Sequence, residues 1–238
     1  MKKLLLAGLC ALVLAGCGDR EAEQKAAAAA QTAKQEAEAA KLAAEYEKAR
    51  TAQNWNMARI HGTALLDQYP GTPAAEGIKA SFEEIQQRAQ AEQEQRRLAA
   101  LWNYAQAQAG KGIQRSAMIN SKDGVDVDGT GKKPVQLIFR DHPEWKRSAY
   151  LVLQSGDFRC SGGCTLKVKI DGVDKTYPGY RPNTDEAIAM FIRNENALWK
   201  ALRKAKTFEI EFPVKAGGTR TAVYEVGGLD GNQMPGWD

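Results

Sequence analysis

Apolar residues recur with a helical period in the first half of the chain and with a strand period in the second. Residues 21–50 contain thirteen alanines and neither glycine nor proline, so their helix propensity is close to its maximum. Larger apolar residues are scarce there, and Leu42 and Tyr46 stand one turn apart near the end. Because so little can be buried, we expect the first half of this helix to be a solvated stalk. A coiled coil with alanine seams is the alternative.

A bulkier apolar stripe begins after Asn54 and predicts two further helices. Tyr69-Pro70-Gly71 ends the first of them, and Thr72 is expected to cap the second, with Pro73 at its first position. The second helix is predicted to run through a polar stretch as far as Gly110. The stripe consists of Trp55, Ala58, Ile60, Ala64, Leu65 and Leu66 in the first helix and Ile78, Phe82, Ile85 and Ala89 in the second.

Past Gly112 the apolar positions alternate with polar ones, as in antiparallel strands with one solvated face. Residues 187–193 fit either a strand or a helix, and a strand is favoured because Asn194 can cap a separate helix over Glu195–Lys206. That helix shows an apolar face that would pack on the sheet. The predicted strands are Gln136–Phe139, Tyr150–Leu153, Leu166–Ile170, Phe208–Phe212 and Ala222–Val226.

The first residues have the layout of a secretory signal. Lys2 and Lys3 precede an apolar run over Leu4–Leu14, which is too short to span a bilayer, since a spanning helix needs roughly twenty residues. Small residues then lead to Cys17. A plain signal peptide with an accidental cysteine is one interpretation of this pattern.

Leu14-Ala15-Gly16-Cys17 closely resembles the lipobox of bacterial lipoproteins. The resemblance implies cleavage before Cys17, a lipid on its thiol and a stable membrane anchor, because several acyl chains exceed what such anchoring requires. Gly18 in the next position implies sorting to the outer membrane, with the protein facing the periplasm. Asp19 leaves inner-membrane retention as the alternative.

Composition gives no sign of nucleic acid, cofactor or acidic substrate. The formal net charge is +4, and removal of Lys2 and Lys3 with the signal leaves about +2. No second apolar span follows the signal, so the lipid is the predicted membrane attachment. The predicted class is α+β, with a signal peptide (1–16), a lipidated Ala/Glu/Lys-rich helical stalk (17–53), a helical hairpin (54–110) and an antiparallel sheet domain with one packed helix (111–238).

Two segments resemble known families. The run Asn54 to Ile85, with Trp55, Tyr69-Pro70-Gly71 and Thr72-Pro73, resembles one helical hairpin of tetratricopeptide-type lipoproteins. A solenoid needs at least three such repeats, so the resemblance implies a single hairpin with a packing partner. Phe158-Arg159-Cys160 and Val226-Gly227-Gly228-Leu229 resemble a β-rich domain of uncharacterised bacterial envelope proteins, which implies no activity.

Cys160 and Cys164 are the candidate pair for a structural disulfide. They flank Ser-Gly-Gly, a loop that would join the sulfurs across a hairpin in an oxidising periplasm. A redox pair would need two intervening residues at a helix N-terminus. A zinc site would need further ligands, and His61 and His142 are the two histidines of the chain.

Other polar groups fit no recognised catalytic or metal motif. The Asp123, Asp126 and Asp128 cluster has its glycine misplaced for a calcium loop, so a solvated loop is predicted. Gly129-Thr130-Gly131-Lys132 lacks the spacing of a phosphate loop. His142 is expected to lie in a turn, because no nucleophile elbow accompanies it. The basic end of the predicted C-terminal helix is expected to be a solvated face.

Tyr177-Pro178-Gly179-Tyr180-Arg181-Pro182 is the candidate partner-binding segment. Tyr177, Tyr180 and Arg181 on a proline-stiffened loop would anchor a protein, or the rings would pack on the sheet edge. The sequence therefore predicts a non-enzymatic envelope lipoprotein that binds an unidentified protein partner and uses no cofactor or metal. An immunity or inhibitor lipoprotein against a periplasmic toxin or hydrolase, or an envelope hydrolase, are the alternatives.

Overall fold

The computed structural model describes residues 16–183 and 188–237, with side chains from residue 20 onward. Within these ranges the α+β class is confirmed, and the residues divide into two compact units at residues 92 and 93. The elements are α1 (Gly16–Thr51), α2 (Trp55–Gln68), α3 (Pro73–Ala99), β1 (Trp102–Ala109), β2 (Gly112–Asn120), β3 (Gln136–His142), β4 (Lys146–Val152), β5 (Cys164–Ile170), β6 (Val173–Tyr180), β7 (Ala189–Ile192), α4 (Glu195–Leu202), β8 (Thr207–Pro213) and β9 (Thr219–Glu225).

The helix boundaries of the first unit follow from local capping. Asn54 Oδ1 accepts a hydrogen bond from the Met57 N–H at 3.2 Å at the start of α2. Thr72 Oγ1 accepts from the Ala75 N–H at 3.3 Å, and Pro73 is the first residue of α3, as predicted. These side chains satisfy amide groups that have no partner within the helix.

The first unit buries its own small core between the three helices. Residues 20–37 of α1 are exposed, as expected of a stalk, whereas Ala39, Tyr46 and Ala49 are buried against α2 and α3. The Tyr46 hydroxyl lies 2.8 Å from Ser81 Oγ. The second half of α1 is therefore the packing partner that the hairpin required.

The second helix of the predicted hairpin is shorter than expected. We predicted helix as far as Gly110, but α3 ends at Ala99, and β1 pairs antiparallel with β2. The alanines and glutamines of β1 favour a helix. Tertiary contacts override this preference, because Trp102 is buried in the sheet core and the Tyr104 hydroxyl accepts a hydrogen bond from the Asp230 N–H at 2.7 Å.

All nine described strands form one antiparallel sheet in the order β1-β2-β3-β4-β7-β6-β5-β8-β9. The single eight-residue helix α4 is too short to cover nine strands, so the sheet must cover its own inner face by curling. Its two ends approach each other. The Lys122 N–H, just after β2, donates to the Val223 carbonyl of β9 at 2.7 Å. Gly228, just after β9, packs so closely against the Leu98 backbone that a Cβ there would overlap it.

The curled sheet encloses one aromatic core. Phe139 of β3 makes edge-on contacts with Trp199 of α4 at 5.1 Å and with Trp237 at 5.5 Å between ring centroids. Leu198 and Leu202 place the same face of α4 in this core. The residues after β9 also contribute, because Leu229, Met234 and Trp237 belong to the same cluster. The buried apolar positions of the strands therefore serve stability.

Two expectations near β6 and α4 need correction. Residues 177–180, which were predicted to lie in a loop, form the end of strand β6. The strand tolerates Pro178 because this residue lies where the short ladder to β7 ends, so its missing N–H disrupts little of the sheet. The predicted strand near residue 190 is confirmed as β7. Helix α4 ends at Leu202 instead of Lys206, and Asn194 precedes it without a side-chain capping hydrogen bond.

Candidate binding surface

The outward face of the sheet has two halves of different chemistry. On β5 and β8 the outward residues are Lys167, Lys169, Glu209 and Glu211, so positive and negative charges alternate. On β2, β3, β4, β7 and β6 the outward face carries large apolar or aromatic residues among polar ones. A solvated sheet face needs no aromatic residues for stability, so the second half is the candidate site.

Strand register places five large outward side chains in one row. Met118 is paired with Ile138, Ile138 with Tyr150, Tyr150 with Phe191, and Phe191 with Tyr180, across β2, β3, β4, β7 and β6. These five residues lie outside the sheet core cluster. The row crosses the strands at right angles, so residues far apart in sequence become direct neighbours.

The three rings of this row stack on one another. Tyr180 and Phe191 have ring centroids 5.1 Å apart and planes 16° apart. Phe191 and Tyr150 are also 5.1 Å apart, with planes tilted by 39°. Since these centroid distances match the spacing between neighbouring strands, the rings stand on the sheet with their faces toward each other.

Two arginines contact the tyrosines of this row. Arg193 lies over the ring of Tyr180 at 4.6 Å, and Arg140 lies over Tyr150 at 5.3 Å. The other face of Arg140 is 5.2 Å from the Trp145 ring centroid. Cation–π contacts of this kind hold a guanidinium in a fixed plane.

The stack ends in the turn between β3 and β4. Trp145 is 65% exposed and stacks on His142 with ring centroids 4.1 Å apart. His142 Nδ1 accepts hydrogen bonds from the N–H groups of Glu144 and Trp145, which fixes the turn expected at this position. The order is thus His142, Trp145, Arg140, Tyr150, Phe191, Tyr180, Arg193, which we call the aromatic–arginine stack.

The charged outward strand positions next to the stack are positive, while Glu144 lies in the adjoining turn and Asp174 lies on β6. Arg140, Lys146 and Arg193 lie on or beside the stack, and the described outward positions of β2, β3, β4 and β7 carry no Asp or Glu. Burial raises the pKa of Tyr150, against the opposing effect of Arg140, so its phenol stays protonated at neutral pH. The phenol and guanidinium groups are all hydrogen-bond donors here.

One of the three predicted partner-binding residues belongs to this surface. Tyr180 is part of the stack. Tyr177 has the opposite orientation on β6 and is only 8% exposed in the core, so the proposal that its ring anchors a partner is wrong. The guanidinium of Arg181 instead holds the backbone in place: its NH1 group donates a hydrogen bond to the Phe158 carbonyl at 3.1 Å, and its Nε donates one to the Pro182 carbonyl at 3.2 Å.

Sequence reasoning missed Trp145, Arg140 and Phe191. Each of these residues lies in or beside a segment with an alternating pattern. Such a pattern shows which face of the sheet a residue occupies, but it does not show which residues lie beside it on neighbouring strands. Strand β7 lies between β4 and β6, an order that does not follow the chain. The sequence did contain one indication of the site: β4, β7 and β6 each place an aromatic residue on the outward face, where packing of the core does not require it.

The candidate cysteines lie close together in a tight turn. Cys160 and Cys164 form a disulfide in the structure, with Cα atoms 5.4 Å apart. The predicted hairpin is absent from this described segment, because β5 pairs with β6 and β8 while Phe158 bridges to Val214. The Cys160 carbonyl accepts hydrogen bonds from the N–H groups of Gly163 and Arg181, which tie the loop to the end of β6.

The lipidation site lies at the edge of the described chain. Cys17 belongs to the first turn of α1, and its side chain lies outside the described residues, as do residues 1–15 of the predicted signal. No helix of the described residues is long and apolar enough to cross a membrane. The anchor therefore stays a prediction from the lipobox resemblance.

The loop that contains Asp126 and Asp128 is held by hydrogen bonds between these side chains and groups within the same loop. Asp126 Oδ1 accepts from the Gly129 N–H at 2.7 Å, and Asp128 Oδ1 accepts from the Thr130 hydroxyl and N–H. These bonds from Thr130 hold the pKa of Asp128 below its usual range. Among the described residues no group of three or more His, Cys, Asp or Glu side chains is placed to bind a metal.

No family model, curated protein or solved structure matches this chain at a significant level. The function is therefore inferred from the geometry of the chain's own residues. The feature with the most specific geometry is the aromatic–arginine stack.

Proposed function

We propose that this chain is a non-enzymatic, lipid-anchored envelope protein that binds a protein partner through the aromatic–arginine stack. The observation that carries the proposal is the stack itself, an ordered row of rings and guanidinium groups on the outside of a sheet. Tyr, Trp and Arg are the residues most enriched at the energetic centres of protein interfaces. In the stack these three residue types lie next to one another on one surface.

Rigidity supports the same function. Side chains that are held in place before binding lose less conformational entropy when a partner arrives. Arg140 is held between two rings, and Tyr150 and Phe191 are half-buried by their neighbours. A surface that lies in its binding conformation in the free protein is suited to recognition.

The lipobox resemblance supplies the proposed location. A lipid on Cys17 would attach the chain to the outer membrane on its periplasmic side. The helical residues 20–92 then lie between the anchor and the sheet unit in the chain. The proposed partner is accordingly a protein of the cell envelope.

Site-specific photocrosslinking in intact cells tests this function. A photoreactive amino acid replaces Trp145, and the matched control carries it at Lys169 on the charged half of the sheet. We expect the position 145 probe to trap one envelope protein that the position 169 probe does not. Equal trapping at both positions, or none at 145, would contradict the proposal, and so would a requirement for His142 in a hydrolytic activity.

A further inference from the structure

We propose that the stack binds an acidic segment of its partner, a stretch of protein rich in Asp and Glu that lies across strands β4, β7 and β6. This inference rests on the proposed function and names the chemistry of the partner. Three observations carry it: both faces of Phe191 are occupied, the exposed groups of the stack are hydrogen-bond donors or cations, and the described outward positions of β2, β3, β4 and β7 carry no carboxylate.

The faces of the inner rings are not available to a ligand. Phe191 has Tyr150 on one side and Tyr180 on the other, each with its centroid at 5.1 Å. Arg140 lies over the ring of Tyr150 at 5.3 Å, and Arg193 lies over the ring of Tyr180 at 4.6 Å. Nucleic acid bases and sugar rings bind aromatic residues by lying on an open face. Phe191, at the centre of the row, offers them no open face.

The groups that do face solvent attract negative charge. An aromatic ring is negative on its face and positive at its edge, and in this row the edges point outward. The phenols of Tyr150 and Tyr180 are donors, and Arg193 is exposed with its planar N–H fork, whereas the Nε group of Arg140 is buried without a hydrogen-bond partner. Carboxylates fit this array, because a guanidinium binds a carboxylate through two parallel hydrogen bonds.

The two halves of the outer face provide an internal comparison. Beside the stack, Arg140, Lys146 and Arg193 have no Asp or Glu on the described outward positions of β2, β3, β4 or β7. On β5 and β8, Lys167 and Lys169 face Glu209 and Glu211 across the ladder. The charged outward positions of β2, β3, β4 and β7 are therefore all positive, whereas Asp174 of β6 is paired with Lys169 of β5.

A protein segment fits this surface better than an anionic membrane. Lysine and arginine clusters that recognise anionic lipids commonly contain about four to eight cations, and the stack has three around it. An array of tyrosine, tryptophan and arginine is instead typical of protein interfaces. The row also runs across the strands, which suits an extended segment of several residues.

The test measures binding of two labelled peptides to the purified full-length chain in detergent. One peptide is glutamate-rich, and the other has every glutamate replaced by glutamine. We expect the glutamate peptide to bind about tenfold more tightly or better, and its affinity to fall when salt is raised from about 50 to about 500 mM. Fluorescence anisotropy gives both affinities.

Substitutions of exposed residues test whether the positive charges beside the stack bind the glutamate peptide. Arg193→Gln and Lys146→Gln should each weaken binding of the glutamate peptide about fivefold, and Arg193→Lys should be intermediate, because lysine keeps the charge but lacks the planar fork. The matched control is Lys169→Gln on β5, which should change the affinity less than about twofold.

Three results would overturn the inference. They are equal or absent binding of the two peptides, an equal loss in Lys169→Gln, and binding to phosphatidylglycerol vesicles without binding to the glutamate peptide. The last result would assign the surface to anionic lipid. Sequencing the segment trapped by the probe at position 145 separates the two proposals. If the trapped segment is neutral or basic, the inference of an acidic partner fails but the proposed function stands. If no protein is trapped, the proposed function itself fails.

Discussion

Tyr180 and Phe191 lie opposite each other on β6 and β7, with parallel-displaced rings whose centroids are 5.1 Å apart. A contact of this kind contributes free energy beyond the apolar area that each ring buries. The pair joins two strands that share only a short ladder. We therefore expect the stack to stabilise the sheet at this position as well as to form a binding surface.

A double-mutant cycle on this pair measures the contribution. Tyr180→Leu and Phe191→Leu each retain apolar volume but remove a ring. We expect a coupling energy of about 0.5 to 1.5 kcal/mol between the two substitutions, from urea unfolding of the sheet unit followed by tryptophan fluorescence. Additive effects of the two substitutions would show that the rings do not interact.

Two glycines in the helical unit should respond to alanine with opposite signs. A Cβ on Gly62 would lie 2.5 Å from Phe82 Cε2 and 3.1 Å from Tyr46 Cδ2, whereas one on Gly77 would meet nothing within 4 Å. We expect Gly62→Ala to lower the free energy of unfolding by about 1 to 3 kcal/mol, because the core is overpacked. Gly77→Ala should raise it by about 0.5 to 1 kcal/mol through helix propensity.

Urea unfolding followed by circular dichroism at 222 nm, a wavelength chosen for its helical signal, checks both changes. Phe82→Leu in the Gly62→Ala background is the matched rescue, since it removes the ring that the new methyl group would strike. Stabilisation by Gly62→Ala would contradict the packing described for Tyr46 and Phe82.

Asp171 should contribute to stability in a pH-dependent way. Its Oδ1 accepts hydrogen bonds from the N–H groups of Thr207 at 2.8 Å and Lys206 at 2.9 Å, and these bonds, chiefly that from Thr207, lower the pKa of the carboxyl. Because the carboxyl is exposed and solvent screens its interactions, we expect Asp171→Ala to lower the free energy of unfolding at pH 7 by about 1 kcal/mol or less.

The sign of the pH dependence follows from the lowered pKa. The charged form is favoured in the folded protein, so the contribution is complete above the unfolded value of about 3.9 and is lost as the pH falls through the lower folded value. The difference between wild type and Asp171→Ala should therefore shrink below about pH 4. Asp174→Ala on β6 is the control, and a constant difference across this range would contradict the argument.

The cysteine pair should be oxidised in the exported protein. We expect alkylation without reductant to modify neither Cys160 nor Cys164. Because the loop between them is short, replacing both by alanine should lower the free energy of unfolding by at most about 2 kcal/mol. Mass spectrometry after alkylation gives the thiol count, and free thiols in the native envelope protein would contradict the prediction.

Lipidation should depend on one cysteine of the N-terminal region. We expect Cys17→Ser to abolish labelling by a fatty-acid analogue and to leave the chain unprocessed or soluble in the periplasm. Cys10→Ser, inside the predicted signal, should be labelled like the wild type. Equal labelling of the Cys17→Ser protein, read by in-gel fluorescence, would show that the lipobox resemblance is misleading.

Strict alternation predicted β5 from the sequence, whereas β1 and β6 escaped prediction because of their composition. Leu166, Val168 and Ile170 alternate with lysines, and they form β5 as expected. Strand β1 escaped prediction because Ala and Gln favour helices, and only Trp102 and Tyr104 supply the contacts that decide otherwise. Strand β6 escaped prediction because Pro178 is typical of a turn.

The candidate site was predictable only in part, because it depends on strand order. Tyr180 was singled out as one of two tyrosines on a segment stiffened by proline. Its neighbours Phe191 and Tyr150 come from strands that are adjacent in the sheet but not in the chain. Alternation places a residue on a face and says nothing about which other strand lies beside it.

The close packing of Gly228 on the backbone of Leu98 has a consequence for how the sheet unit is made. These residues stand near the beginning and the end of the unit, and Trp237 completes the core beyond them. Contacts between such distant positions form slowly, because the intervening chain must be closed into a loop first. The strands that are synthesised first therefore keep their apolar faces exposed to solvent until the C-terminal segment of the unit has been synthesised. A stop codon at Gly227 should prevent the unit from folding at all, not merely shorten it.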